Sequence, residues 1–249
     1  MSVNGSAQTA PLRVGAPVMD YSAGLSAAFG IATALFERSR SGLGQHVDVS
    51  MLDTALVMMG CLVAEAATAH STPRPQGNRA PAESFANACF ECKEGLISIA
   101  AMEDHHRQRM WQAIGRPDIP LDPRFRTDDD CRINFAALHA EMDRTFLTRT
   151  AQEWEDILNA ADVPAARART IPEALEMAQV RARGIMHHMD HVPGIEGGAS
   201  FPLVPFQLSA GGASVDAPPP LMGQHTFEIL ASRGYDARAI ARLREEGVI

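Results

Sequence analysis

The sequence predicts an α/β fold made of two differently patterned parts, and three observations predict it. Apolar residues at helical spacing fill Gly24–Arg38, namely Leu25, Ala28, Phe29, Ala32, Leu35 and Phe36. Val47, Val49 and Met51 then alternate with His46, Asp48 and Ser50, a strand pattern, and the Ala-, Leu- and Met-rich run Leu52–Thr68 reads as a second, largely buried helix. Beyond the proline-bearing linker Ser71–Pro81 the pattern changes to a hairpin and short helices, which marks a small α+β region.

The remaining elements follow from local chemistry. Gly15-Ala16-Pro17-Val18-Met19-Asp20 reads as an extended approach to the first helix, because a residue before proline is pushed away from helical backbone. Ser41-Gly42-Leu43-Gly44 ends that helix. Asn87–Glu91 and Leu96–Ala100 are short apolar strands joined by Cys92-Lys93-Glu94-Gly95. Glu103–Ile114 and Asn134–Leu147 read as helices. Two more helices open on the S/T-x-x-E capping box, Thr150 with Glu153 and Thr170 with Glu173, where side chains satisfy the first free N–H groups. Pro172 suits a first turn, and Trp154, Ile157, Leu158 and Ala161 form the apolar stripe of the earlier helix. The Gly- and Pro-rich stretch Val192–Pro220 has no helical period and carries a short strand within Ser200–Leu208. Helices at Thr226–Arg233 and Asp236–Glu246 close the chain.

Composition narrows the partners. Of 249 residues 46% are hydrophobic and 21% charged, an ordinary globular profile. Net charge is −8 with no basic stripe and interleaved aromatics, which argues against a nucleic-acid partner and leaves any grip on an anion to local groups. No continuous apolar run approaches the ~18–20 residues that span a bilayer, so no membrane association is expected. Met1–Pro11 lacks the basic cluster and apolar stretch of a signal peptide, so a cytoplasmic location is expected.

Four cysteines, at 61, 89, 92 and 131, are too few for a disulfide framework in a chain of this length. Cys89 and Cys92 form a lone C-x-x-C without the second pair that a four-ligand zinc site needs, and they read as small apolar residues flanking a hairpin turn and not as a metal or redox site. His187 and His191 stand at i, i+4 beside His188 and Asp190, but Gly184 and Val192-Pro193-Gly194 bracket them, which points to an exposed linker turn. No metal is expected.

Asp20 is the first chemical candidate. A carboxylate near free N–H groups at a helix start stays ionised and can attack a thioester carbonyl, and an aspartate in that place also serves as an ordinary N-cap. The blocks around it are informative: Gly15-Ala16-Pro17, Asp20, Gly24, Gly30-Ile31-Ala32, Ala34–Arg38, and Ser41-Gly42-Leu43-Gly44-Gln45-His46-Val47-Asp48-Val49-Ser50-Met51-Leu52-Asp53. Later come Gly77-Asn78-Arg79, Asp122–Phe125, Arg132 with Asn134, Arg149-Thr150 with Glu153-Trp154, Glu173-Ala174, Gly223–Thr226, Gly234-Tyr235 and Gly247-Val248-Ile249. Together they resemble class III CoA transferases, the family of formyl-CoA and carnitine-type enzymes, which shares its fold with the 2-methylacyl-CoA racemases. The resemblance covers essentially the whole chain.

That resemblance implies the end of a Rossmann-like large domain over 1–69, a linker at 70–75, a small α+β domain over 76–189, and a return segment over 190–249 that rejoins the first domain. It implies Asp20 as the nucleophile that forms an acyl-aspartyl anhydride and then an aspartyl-CoA thioester. Gly24 is the candidate for close backbone approach to the reacting carbonyl, with tight packing as the other explanation, and Met51 falls where family members line the pocket but suits a core position as well. Coenzyme A enters as substrate beside an acyl-CoA and a carboxylic acid, with no resident cofactor, and members form interlocked homodimers.

Family chains begin well before this one, and Met1–Gly5 resembles an internal segment. The N-terminal half of the fold is therefore expected to be absent, or supplied by a separate chain, and the polypeptide to be a fragment or a fold-completing subunit. Arg79-Ala80-Pro81-Ala82-Glu83-Ser84 lacks the glycine run of some formyl-CoA members, which counts against formyl-CoA as substrate. Glu103 resembles an acidic residue of the racemases, where two groups must face opposite sides of an α-carbon, although a solvated acid at a helix start fits it too.

Overall fold

The computed structural model describes residues 1–79 and 85–249, and its contacts divide the chain into two units, 1–168 and 169–249. The glycine-free stretch weighed against formyl-CoA lies, from residue 80 to 84, outside the described residues.

The first unit opens with α1 (Val18–Ser41), α2 (Met51–Met58) and α3 (Gly60–Ala69). α1 begins at Val18 and not at Gly24, because a proline disfavours helix only in the residue before it, and nothing after Pro17 opposes helical backbone. Gly42 ends α1 at φ +75°, where its N–H reaches the Arg38 carbonyl at 2.8 Å. The chain then crosses α1 so closely that a Cβ on Gly30 would lie 3.1 Å from Val47 Cγ1. Residues 43–50 have the period-two pattern of a strand but pair with no strand among the described residues. The expected second helix is two helices, broken at Met59 (φ −102°, ψ 24°) and bent by 81° where Gly60 opens α3.

Nor is that region buried. No residue of α1 or α3 is buried, and α2 buries only Thr54. Phe29 and Val57 are each 77% exposed and Leu52 68%, although the spacing predicts that they face a core. α1 is also long and apolar enough to cross a membrane by length and composition alone. The sequence reading misses this because Asp20, Ser22, Ser26 and Thr33 interrupt the apolar residues, so that no continuous apolar run forms.

The core of this unit lies further along the chain. β1 (Asn87–Glu91) and β2 (Leu96–Ala100) form the predicted hairpin in the register Asn87↔Ala100 to Glu91↔Leu96, turned through Gly95 at φ +80°. β3 (Ala165–Arg167), too short to show a period, adds to the other edge of β2. Around this sheet stand α4 (Asp104–Ala113), α5 (Asp128–Ile133), α6 (Phe135–Phe146) and α7 (Ala151–Ala160). Phe90, Ile97, Ile99, Met110, Leu138 and Leu158 are fully buried between them.

A chain of ring contacts runs through the core and is closed by arginines at both ends. Arg79 lies over Phe135 at 5.2 Å, Phe135 meets His139 at 5.6 Å, and His139 meets Phe90 at 5.0 Å. Phe90 stacks on Phe146 at 4.8 Å, Phe146 meets Trp154 edge-on at 5.4 Å, and Arg149 covers Trp154 at 5.6 Å. Trp154 Nε1–H donates to the Phe146 carbonyl at 2.8 Å, so the buried indole has its partner. Cys92 and Cys131 are buried free thiols, and burial pushes both thiols up in pKa.

Both predicted capping boxes form, at Thr150–Glu153 and Thr170–Glu173, and a third at Thr127–Asp130 uses aspartate where the sequence template asks for glutamate. The Glu153 carboxyl is held below its ordinary value, first by the Thr150 backbone N–H and then by the Thr150 hydroxyl.

The second unit contains α8 (Ile171–Leu175), α9 (Ala178–Arg183), β4 (Met186–Met189), β5 (Ala199–Pro202), α10 (Thr226–Ser232) and α11 (Ala237–Glu245). His187 and His188 lie on β4, so these two sit on a hairpin strand and not in a linker turn, whereas Asp190 and His191 lie beyond its end. His188 Nδ1 is 2.9 Å from Ser200 Oγ, and the His187 ring faces Phe201. β5 is shorter than the predicted Ser200–Leu208 strand. Asp236 caps α11 by accepting from the Ala239 N–H at 2.8 Å.

Two stability measurements follow. Leu158→Ala, at a position 0% exposed, is expected to cost roughly 2–5 kcal/mol in urea unfolding, whereas Leu52→Ala costs less than about 0.5 kcal/mol. The lowered Glu153 carboxyl means the unfolded state binds more protons, so its contribution is fully present above the ordinary carboxyl value of 4.5 and is lost as pH falls through the lowered one. Glu153→Gln should flatten the acid limb of stability against pH, and an unchanged limb would remove the box as its source.

Candidate active site

The first turn of an α-helix leaves backbone N–H groups without partners, and Asp20 sits in that turn of α1. Val18 N–H turns back to the Ala16 carbonyl at 2.8 Å and Tyr21 N–H to the Pro17 carbonyl at 3.1 Å. Among the described residues the open donors are therefore those of Met19 and Asp20. The N-cap position belongs to Pro17 and no side chain caps it, so the capping role that the sequence left open for Asp20 is not taken. Its carboxylate is exposed and makes no hydrogen bond or ion pair among the described residues.

Gly24 lies inside α1, one turn beyond Asp20 and on the same face. Within the helix its N–H belongs to the i→i−4 ladder, so what Gly24 offers is the missing side chain. A Cβ there would meet nothing within 4 Å, which leaves that face open to an incoming group. Met51 is the first residue of α2, half exposed, behind the cap in which Ser50 accepts from the Asp53 N–H at 3.2 Å. α2 packs along α1, so Asp20, Gly24 and Met51 lie on neighbouring helices. An unpaired carboxylate at the positive end of a helix, with two unused N–H donors beside it, can attack a carbonyl carbon and steady the oxyanion that develops.

Glu103 comes from a different part of the unit. It precedes α4, which packs on α7, and it is exposed without capping the helix. The neighbouring Arg107 is engaged with Asp104 and donates to the Met102 carbonyl at 3.1 Å.

One feature of this unit escaped the sequence reading. A cavity of about 440 Å3 is lined by Arg74, Arg79 and Arg132 with Glu65, Gln76 and Gly77. Its residues come from the N-terminal segment at Val3, α3, the following irregular segment and α5, a grouping that no local spacing encodes.

The chain matches CoA-transferase family III over residues 1–226. It is 30% identical over 211 residues to an acetyl-CoA:oxalate CoA-transferase of Acetobacter aceti, a match covering 84% of this chain and 52% of that protein. It is also 30% identical over 250 residues to a succinyl-CoA–D-citramalate CoA-transferase of Chloroflexus aurantiacus, covering 100% of this chain and 61% of that one. The chain thus spans about half to three fifths of the length of these relatives. A CaiB/BaiF family protein from Brucella suis has a similar mixed α/β fold, with a TM-score of 0.75 at 23% identity, over 93% of this chain and 59% of that one.

Because the Asp20 carboxylate bonds to nothing among the described residues, Asp20→Asn should shift unfolding free energy by less than about 0.5 kcal/mol in urea titration. A loss above 1 kcal/mol would mean that the aspartate is a structural cap.

Proposed function

The chain belongs to CoA-transferase family III, and from that membership we propose that it passes coenzyme A from an acyl-CoA thioester to a carboxylic acid through Asp20. The observation that carries the proposal is the position of Asp20, an exposed carboxylate with no partner among the described residues, in the first turn of α1 beside the open face at Gly24.

Each step balances without a cofactor. An Asp20 oxygen attacks the thioester carbonyl, the C–S bond breaks, and CoA leaves as thiolate from an acyl-aspartyl anhydride. The thiolate then attacks the aspartyl carbonyl, the donor's acid leaves as carboxylate, and an aspartyl-CoA thioester remains. The acceptor carboxylate repeats the first step on that thioester, and the thiolate takes the new acyl group and frees Asp20. Each intermediate keeps an activated acyl bond, so ATP is not needed, but water must be kept out. The Met19 and Asp20 N–H groups are the donors for the oxyanion, Gly24 admits the acyl group, and Met51 lines the pocket from α2. This reading places the protein in the cytoplasm, with CoA as substrate and not as a resident group.

The proposal includes what covers the exposed apolar sides of α1, α2 and α3. In this reading they pack against polypeptide equivalent to the part of the relatives that this chain does not span, in an interlocked homodimer or with a separate chain. The isolated 249-residue polypeptide should then bind CoA more weakly than micromolar, which calorimetry checks. Racemisation is a second reading, favoured by the unengaged Glu103 carboxylate, and a role limited to completing a partner's fold is a third.

Purified native assembly, offered acyl-CoA donors with a panel of carboxylic acids, should form new CoA thioesters, and Asp20→Asn should slow that transfer at least about 10³-fold. Transfer undiminished in the variant would leave the fold-completing role. Wash-in of deuterium at the α-carbon with no second acid present would identify the racemase instead.

A further inference from the structure

The three-arginine cavity has a charge opposite to that of the chain around it. The protein carries a net −8, yet Arg74, Arg79 and Arg132 share this space with Glu65, the one carboxylate among the described lining residues. That carboxylate accepts from Ser71 Oγ at 2.7 Å, and Arg132 is ion-paired to Asp129 at 2.9 Å. Arg74 makes no hydrogen bond or ion pair among the described residues. Arg79 Nε–H donates to the Gln76 carbonyl at 3.2 Å while its guanidinium lies over Phe135, so its Nη groups keep their donors for another acceptor.

The frame that holds these two guanidiniums is fixed. Pro73 and Pro75 flank Arg74 and restrict the backbone on both sides. Gly77, at φ +66°, donates its N–H to the Gly5 carbonyl at 2.8 Å. Asn78 accepts from the Cys89 N–H at 2.9 Å, and Arg79 forms a bridge with Ala88, so this segment is tied to β1. A cavity of about 440 Å3 lies in the size range of small-molecule sites, and planar guanidinium forks match the oxygens of phosphate.

We propose that this cavity is an anion site that takes a phosphate group, gripped by the Arg74 and Arg79 guanidiniums. Its ligand is either the 3′-phosphate of an adenosine nucleotide, as coenzyme A carries, or free inorganic phosphate. The proposal stands on the cavity and not on the transferase reading, so each can fail without the other.

The test follows the guanidinium resonances of the full chain by NMR at constant ionic strength. Adenosine 3′,5′-bisphosphate, adenosine 5′-monophosphate and inorganic phosphate are titrated separately. Saturable shifts at Arg74 and Arg79 with roughly millimolar half-saturation are expected, and Arg74→Gln with Arg79→Gln should abolish them. Several-fold tighter binding of the bisphosphate than of the monophosphate supports the site with the nucleotide as source. An equal response to inorganic phosphate supports the site with free phosphate as source. Shifts that never saturate, or that persist elsewhere in the double variant, overturn the proposal. If the double variant does not fold, Arg74→Gln alone, at an exposed position without a partner among the described residues, decides the matter.

Discussion

An apolar helix face has to be covered by something, and α1, α2 and α3 leave theirs in solvent throughout this chain. Helical propensity and the Gly42 stop suffice to shape α1, but packing and not propensity stabilises most helices in proteins. The other half of the same unit meets the requirement fully. There β1, β2 and β3 bury their inner face beneath α4, α6 and α7, and the aromatic chain from Phe135 to Trp154 links sheet and helices. Folding stability is therefore concentrated after residue 85, whereas the residue proposed to carry the chemistry sits at the start of the uncovered part.

That division bears on mechanism. Acyl transfer through an anhydride fails if water reaches it, and an exposed first turn cannot exclude water by itself. The carboxylate, its two open N–H neighbours and the side-chain-free face at Gly24 are present, and the enclosure is not. In the proposed reading the surface that covers Phe29, Leu52 and Val57 also closes the site, so folding of the helices and protection of the intermediate depend on one interface. Ion pairs add little here. Arg116 with Asp118 and Glu141, and Arg124 with Asp122, lie at the surface, where solvent screens such pairs.

What was legible in the sequence was local. The hairpin came out with its boundaries because five-residue strands with period two and a turn glycine are set by neighbours in sequence. Thr150 and Thr170 were readable because a capping box closes within four residues, and Thr127–Asp130 was missed only through the shorter carboxylate. The failures are tertiary. Period two at Val47–Met51 says which way side chains alternate but not whether a partner strand exists, and the spacing of Leu25 to Phe36 marks an apolar face but not what covers it. The break at Met59 depends on φ and ψ that no single residue type announces. Asp20 was identifiable through the family blocks around it and not through helix chemistry, where a cap was the simpler expectation, and the cavity between Arg74 and Arg132 joins residues that only the fold brings together.

The most direct test is an intact-mass measurement on natively purified protein before and after incubation with a panel of acyl-CoA thioesters. The account predicts a native mass well above the 26.8 kDa of this chain and a covalent adduct on Asp20 that hydroxylamine removes. A native mass equal to the chain, with no adduct from any thioester, would contradict it.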